Sequence, residues 1–322
     1  MLSFRMIPRG KLSLFCLFLL CVGIPGIAIG QQGTAPPAAQ NTLRVYISAS
    51  QKDGSPVKLD ASALSVLIDR QPAKIVSLRP ARDEKLLFAL AIDTSSSEKM
   101  YAGPIKAAAL QLFKTLLAAG GQGYLVVFDN NVAMSKRPIT NLEMQYEIAH
   151  MIFGGGTALF DAISKTCNQA LVKARNPEFP RRAIIVISDG SDNASRVRFD
   201  QTIADANREE IAVFSLIVPP REDLEGQYLK DFTEGTGGPV SLTTKMDYGE
   251  QHLEEFAERT GGQVSEATQH EPDIHPLLAA MDAQWILEVS VPLPADQKLH
   301  SFKVAATQHG VTISAPKQIP IP

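Results

Sequence analysis

The chain has 322 residues, of which 45% are hydrophobic and 20% are charged, and its formal net charge at pH 7 is −3. This composition is ordinary for a globular protein, and the length allows one or two domains. The small net charge and the lack of any run of like charges give no reason to expect a nucleic-acid partner.

Residues 1–30 have the pattern of a secretory signal peptide. Three basic residues precede an apolar stretch at residues 12–22, and small residues ending at Gly30 form a cleavage site. The alternative is an uncleaved membrane anchor, but the apolar stretch is shorter than the ~20 residues that a span needs, and Pro25 interrupts the segment. We therefore expect cleavage after Gly30 and a secreted or periplasmic protein with no membrane span after cleavage.

Two segments follow the signal. Residues 31–41 are rich in Gln, Ala and Pro and are predicted to form a flexible linker. Residues 42–80 are predicted to form a β segment, because Leu43, Val45 and Ile47 alternate with polar residues as in a half-buried strand. Such a segment is too small to be stable alone, so it must pack against another part of the chain.

Residues 85–283 alternate between apolar runs and helical patterns. Alternation of this kind predicts an α/β domain with a doubly wound, mostly parallel central sheet flanked by helices. Residues 284–322 return to strand patterns. We expect these C-terminal strands to pair with the N-terminal ones in a small β module beside the α/β domain.

Polar side chains follow two of the apolar runs. Asp93, Ser95 and Ser97 follow the first run in the order Asp-x-Ser-x-Ser, and Asp189 follows a second run. Thr157 comes directly after three glycines, at the mouth of a predicted helix. Ligands of open parallel sheets bind at the carboxyl ends of the strands. Oxygen ligands without His or Cys suit a hard cation such as Mg2+.

These three motifs, in this order and at these intervals, resemble the von Willebrand factor A domain and its metal-ion-dependent adhesion site. The resemblance covers roughly residues 85–285, and the flanking segments resemble secreted bacterial proteins related to that domain. The family pattern often has Gly at the position of Ser96. Glu98, which adds a carboxylate nearby, is predicted to be solvated and not a ligand.

The resemblance implies a role for each of the five motif residues. Ser95 and Ser97 would be direct hydroxyl ligands, and Thr157 a third that enters or leaves. Asp93 and Asp189 would bind directly or through water. The ion would be Mg2+, or Mn2+ or Ca2+, and an open position would accept an Asp or Glu carboxylate from a protein partner.

An internal repeat complicates the end of the α/β domain. Residues 253–265 repeat the pattern of residues 229–241, each copy a helical turn, a Gly-Gly stop and a short strand. The last strand of the sheet could therefore contain either Val240 or Val264.

Enzyme signatures are weak. The sequence has neither a Gly-x-Ser-x-Gly elbow nor a phosphate-binding Gly-x-x-x-x-Gly-Lys-Ser/Thr loop, and its six His residues form no ligand pair at helical spacing. Asp93 at a strand end is similar to the nucleophile of haloacid-dehalogenase phosphatases, but these have a second Asp where Ser95 stands. The principal hypothesis is a non-enzymatic adhesion-type binding module. The alternatives are a metal-dependent phosphatase-like hydrolase and a structural scaffold.

Overall fold

The computed structural model describes residues 41–51, 57–172, 177–217, 243–266, 273–291 and 298–321. The predicted signal segment, the linker up to residue 40 and the first copy of the repeat lie outside the described residues. Residue 41, assigned to the linker from sequence, already belongs to the first strand.

Fourteen strands are present in the described part of the chain. They are β1 (Asn41–Gln51), β2 (Leu64–Ile68), β3 (Gln71–Pro72), β4 (Ile75–Pro80), β5 (Leu86–Asp93), β6 (Gln122–Phe128), β7 (Val132–Met134), β8 (Arg181–Ile187), β9 (Ala212–Ile217), β10 (Val264–Glu266), β11 (Gln284–Val291), β12 (Leu299–Ala306), β13 (Val311–Ser314) and β14 (Gln318–Pro320).

Six α-helices are described along the same ranges. They are α1 (Ala102–Ala118), α2 (Asn141–His150), α3 (Leu159–Lys165), α4 (Phe199–Arg208), α5 (Thr243–Thr260) and α6 (His275–Asp282). A π-helical segment, Thr166–Leu171, continues α3. None of the helices within the described ranges has both the length and the apolar character needed to cross a membrane.

The central sheet has six strands in the order β10-β9-β8-β5-β6-β7. All its pairings are parallel except that of the edge strand β7, which runs antiparallel to β6. The predicted α/β fold class is thereby confirmed. The strand left open by the repeat is β10, which contains Val264 and pairs with β9, whereas Val240 lies outside the described residues.

Helices cover both faces of this sheet. This double burial explains why the sequence of β5 is continuously apolar. All eight of its residues are buried. Phe88, Leu90 and Ile92 pack into one core with α1, α2 and α6. The alternate residues of β5, among them Ala89, pack into a second core with α3, α4 and α5. A strand buried on both faces has no side that favours polar residues until it ends, at Asp93.

The chain order makes the carboxyl ends of β5 and β8 a topological switch point of the sheet. From β5 the chain crosses to β6, which pairs with one edge of β5. It later returns to β8, which pairs with the other edge, so the two connections run in opposite directions from β5. Such a switch point leaves a space between the loops where ligands bind in open α/β sheets. Asp93 at the end of β5 and Asp189 just after β8 lie at this switch point.

The remaining strands form two four-stranded antiparallel sheets, β13-β1-β11-β4 and β14-β12-β2-β3. β1 pairs with β11 from Asn41 opposite Val291 to Ser48 opposite Gln284, which joins the N-terminal and C-terminal segments. Apolar side chains of both sheets share one core, including those of Val45, Val66 and Phe302. Each segment therefore supplies apolar surface that the other buries.

The prediction of a half-buried β1 is wrong for its central residues. The side chains of Leu43, Val45 and Ile47 face the core of the β module, as expected. The opposite face is covered as well: the Tyr46 hydroxyl donates to the Pro180 carbonyl at 3.4 Å, and Tyr46 is only 3% exposed. The polar alternation thus marks a face that meets the α/β domain, not solvent.

Candidate metal centre

The loop after β5 folds three of the predicted ligands into one turn. The Ser95 backbone N–H donates to Asp93 Oδ1 at 2.8 Å, and the hydroxyls of Ser95 and Ser97 lie 3.1 Å apart. Asp93 and Ser95 are buried, whereas Ser97 is exposed. The Asp-x-Ser-x-Ser spacing therefore gives a compact set of oxygens with one side open to solvent.

The end of β8 brings a second carboxylate to the same place. The Ser188 hydroxyl donates to Asp93 Oδ2 at 2.6 Å and accepts from the Gly190 N–H at 3.0 Å, so it ties the ends of β5 and β8 together. The Asp189 carboxylate has an oxygen within 4.8 Å of oxygens of both Asp93 and Glu98. Parallel pairing of adjacent strands explains this meeting, since their carboxyl ends reach the same edge of the sheet.

Glu98 is not solvated, which corrects the expectation from sequence. It is 2% exposed, and its Oε1 accepts from the Asp189 N–H at 2.7 Å. A tight turn causes this burial: the Glu98 N–H donates to the Ser95 carbonyl at 3.2 Å, which folds residue 98 back beneath the loop. The site therefore holds three carboxylates and not two.

Thr157 reaches the site on a loop that packs against the turn after β5. The Gly154 N–H donates to the Thr94 carbonyl at 2.7 Å, and the Ser96 N–H donates to the Gly155 carbonyl at 3.1 Å. Thr157 itself is 2% exposed. Within the described ranges its hydroxyl forms no hydrogen bond with the other four predicted ligands, so backbone bonds of neighbouring residues are what join its loop to the turn.

Burial and the nearby negative charges raise the pKa values of Asp93 and Glu98. Desolvation raises the pKa of Asp93 to about 7, against the lowering effect of its hydrogen bonds from Ser188 and Ser95. Desolvation also raises the pKa of Glu98 well above its usual range, and the nearby charges of Asp93 and Asp189 raise it further. Buried carboxyl groups of this kind gain when a cation supplies the opposite charge.

The donor set fits a hard divalent cation. Three carboxylates with oxygens within 4.8 Å of one another, and the hydroxyls of Ser95 and Ser97 beside them, are all oxygen donors. Mg2+, Mn2+ and Ca2+ prefer such ligands, whereas sites for softer metals contain Cys or His. When bound, the ion would supply positive charge and a coordination position at the exposed side of the turn.

The sequence predicted Asp93, Ser95, Ser97, Thr157 and Asp189 as ligands and named Glu98 as a nearby carboxylate, but it did not predict the burial of Glu98 beside Asp93 and Asp189. One signal was available: Ser95 and Glu98 have the Ser-x-x-Glu spacing of a capping box, in which the Glu side chain turns back toward the Ser backbone. In the structure the Glu98 carboxylate instead accepts from Asp189, because the Ser95 N–H already donates to Asp93. That choice of partner depends on Asp189, which follows β8 and lies 91 residues after Glu98 in the chain, so the local pattern could not supply it.

No family model matches the chain, and no curated protein matches it. Among solved structures, the chain is similar to the conserved hypothetical protein BatB of Bacteroides thetaiotaomicron, with 19% identity, a TM-score of 0.43 and coverage of 62% of this chain and 96% of that one. The chain is also similar to an aerotolerance-related membrane protein of Bacteroides fragilis, with 16% identity and a TM-score of 0.43. This match covers 61% of this chain and 98% of that one. A third similar structure is the vWF domain of the type V pili tip protein Mfa5 of Porphyromonas gingivalis, with 20% identity and a TM-score of 0.30. This match covers 34% of this chain and 39% of that one. With TM-scores below 0.5, these likenesses say nothing of residues or function, and the fold class follows from the strand pairing of this chain.

Proposed function

We propose that the chain is an exported binding module of the von Willebrand factor A type that uses a divalent cation to engage an acidic residue of a protein partner. The observation that carries the proposal is the group of three carboxylates, Asp93, Glu98 and Asp189, with oxygens within 4.8 Å of one another at the switch point of the sheet. Without a cation, these groups repel one another in a buried place.

The cation would be Mg2+, with Mn2+ and Ca2+ as the alternatives. Ser95, Ser97 and Thr157 would contribute hydroxyls, and Asp93 and Asp189 carboxylates, directly or through water. We add Glu98, which was not among the predicted ligands, because its carboxylate belongs to the same group. The all-oxygen donor set supports a hard ion but leaves the choice among the three to experiment.

The partner would offer an Asp or Glu side chain. Ser97 is the exposed one of the three predicted ligands in the turn, and it marks the side from which such a carboxylate can approach. The interaction is association without covalent chemistry, and the sequence pattern of residues 1–30 supports an encounter outside the cytoplasm.

The metal part of the proposal can be tested by titration calorimetry on residues 31–322. Mg2+ and Mn2+ should bind to the unsubstituted chain, and Asp93→Ala or Asp189→Ala should abolish the binding. Asp129→Ala is a matched control, since Asp129 follows the neighbouring strand β6 and accepts from Asn131 at 2.7 Å without belonging to the carboxylate group. Equal binding by all four proteins would refute the assignment.

The carboxylate part needs a separate measurement. With Mn2+ bound, the relaxation rate of water protons reports the water molecules that exchange at the ion. A peptide containing Glu should lower this rate by displacing such a water, and the same peptide with Gln in place of Glu should not. If both peptides act alike, the ion does not select a carboxylate.

The hydrolase alternative is separated by turnover. Under the proposed function, the Mg2+-loaded chain should not release phosphate from an aryl phosphate faster than the Asp93→Ala variant does. Release that depends on both Mg2+ and Asp93 would instead establish a phosphatase-like activity on this sheet.

A further inference from the structure

The loop that carries Thr157 is bonded to the loop that follows Asp189. The Thr157 N–H donates to Asn193 Oδ1 at 2.8 Å, and the Thr157 carbonyl accepts from the N–H groups of both Asn193 and Ala194 at 2.9 Å. Asn193 thus holds both the N–H and the carbonyl of the same residue. Since Asn193 lies four residues after Asp189, the two candidate ligands Thr157 and Asp189 are connected through it.

A second asparagine bonds to the same loop from the other side, where β6 ends. Asn130, just beyond β6, accepts from the Gly156 N–H through its Oδ1 at 2.9 Å. The fit around Gly156 is close: a Cβ at this position would lie 2.5 Å from Asn130 Oδ1 and 2.6 Å from Asn193 Oδ1. Only glycine leaves room for both side chains at once, so the two amides and the glycine form one packed unit.

Hydrogen bonds from neighbouring loops are needed because the glycine-rich loop has little conformational preference of its own. Gly154, Gly155 and Gly156 are consecutive, and glycine has the widest choice of backbone conformations. Gly155 in addition has a φ of +87°, a left-handed conformation that other residues rarely adopt. A threonine after three such residues would sample many positions unless neighbouring elements restrained the loop.

We propose that Asn130 and Asn193 are positioning residues that hold the Gly154–Thr157 loop so that Thr157 is presented to the cation. The inference rests on the proposed function, because Thr157 must be a ligand for its placement to affect the ion. The two asparagines do not touch the cation themselves. They act through Thr157, in the way that outer residues of metal sites orient the ligands and commonly change affinity by about 10- to 100-fold.

The test measures Mn2+ affinity by calorimetry on the mature chain, with melting temperature recorded for every variant. Asn193→Ala and Asn130→Ala should each weaken Mn2+ binding by about tenfold. Thr157→Ala should weaken it as well, and adding Asn193→Ala to Thr157→Ala should produce no further loss. This lack of additivity separates positioning through Thr157 from a general loss of stability, which would weaken binding in either background.

Two further variants control the substitutions. Asn131→Ala removes an exposed asparagine of the same turn whose side chain makes no hydrogen bond to any described residue, and it should leave Mn2+ affinity unchanged. Asn193→Asp keeps an oxygen that can accept from Thr157, and it should bind Mn2+ at least as tightly as the unsubstituted chain.

The outcomes distinguish this inference from the proposed function. Failure of the unsubstituted chain to bind Mn2+ would overturn the proposed function and the role of the asparagines with it. Mn2+ binding that Asn193→Ala and Asn130→Ala leave unchanged would overturn the positioning role alone. So would equal losses from Asn193→Ala with and without Thr157, or a loss in Asn193→Asp as large as that in Asn193→Ala.

Discussion

Replacing Asp93 with Asn should stabilise the metal-free chain and at the same time remove its response to Mg2+. The reason is that burial raises the pKa of Asp93 from 3.8 to about 7. At neutral pH the unfolded chain ionises this group freely, whereas the folded chain must either hold a proton or keep a buried charge. Both states of the folded chain cost free energy that Asn would avoid.

The magnitude follows from the pKa. A difference of about three units corresponds to about 4 kcal/mol at pH 7, at 1.36 kcal/mol per unit. Asn can keep the bond from the Ser95 N–H, but the Ser188 hydroxyl loses the carboxylate to which it donates, at a cost of about 1 kcal/mol. The net gain is about 3 kcal/mol, which for a chain of this size raises the melting temperature by roughly 5 °C.

The assay is urea unfolding at pH 7, in EDTA and again in saturating Mg2+. In EDTA the Asp93→Asn variant should be the more stable protein. Mg2+ at about 100 times its dissociation constant should add about 2.7 kcal/mol to the unsubstituted chain and nothing to the variant. Asp129→Asn, the same substitution beside the neighbouring strand, should lie within about 0.5 kcal/mol of the unsubstituted chain in EDTA.

Two results would refute this reasoning. If Asp93→Asn lowered the free energy of unfolding in EDTA, the ionised carboxylate would be stabilising the fold, and burial would not be the dominant influence on it. If the variant gained as much stability from Mg2+ as the unsubstituted chain, Asp93 would not be a ligand.

The remaining predictions concern the carboxylates, the glycine loop and the β module. Glu98→Gln keeps an acceptor for the Asp189 N–H but removes one negative charge, so Mg2+ affinity should fall while the Mn2+-loaded chain binds a Glu-containing peptide more tightly. Calorimetry with the metal and with the peptide checks this, and a loss of affinity for both would contradict it. Gly156→Ala should weaken Mn2+ binding because its Cβ would lie within 2.6 Å of two asparagine oxygens. Gly154→Ala should leave Mn2+ binding unchanged, since no atom lies within 4 Å of its Cβ. Equal Mn2+ affinities of the two variants by calorimetry would show that the loop adapts to the added methyl group. The free energy of unfolding in EDTA should fall as pH rises from about 4 to about 7, since the folded chain retains the Asp93 proton that the unfolded chain releases, and urea titrations that are flat over this range would be inconsistent with the raised pKa. Deleting residues 284–322 removes the partner of β1, so limited proteolysis should then cut β1 first; unchanged resistance would mean that β1 is held by the α/β domain alone.

The sequence by itself determined the class of fold and the meeting of two carboxylates at one edge of the sheet. The continuous apolar run of β5 requires burial on both faces, and its alternation with helical segments requires a parallel sheet. In such a sheet, polar residues that follow two strands must emerge at the same edge. This is why Asp93 and Asp189 could be grouped in advance, although they are 96 residues apart.

Only the tertiary structure decided which additional groups share that edge. Glu98 is sequentially adjacent to a solvent-exposed serine, and the partner of its buried carboxylate is the Asp189 N–H, which the end of β8 supplies. Likewise, Asn130 and Asn193 belong to separate loops, and their side chains come together only at Gly156. Hydrogen bonds between distant loops leave no periodic signal, because they depend on the position of each loop and not on its own pattern.

The same distinction explains β1. Its alternation of apolar and polar residues correctly gave a strand with one face in a β core. The pattern cannot tell whether water or another domain covers the polar face, since Tyr46 can donate its hydroxyl to either. Here the Pro180 carbonyl accepts it, and burial of that face is a property of how the β module meets the α/β domain.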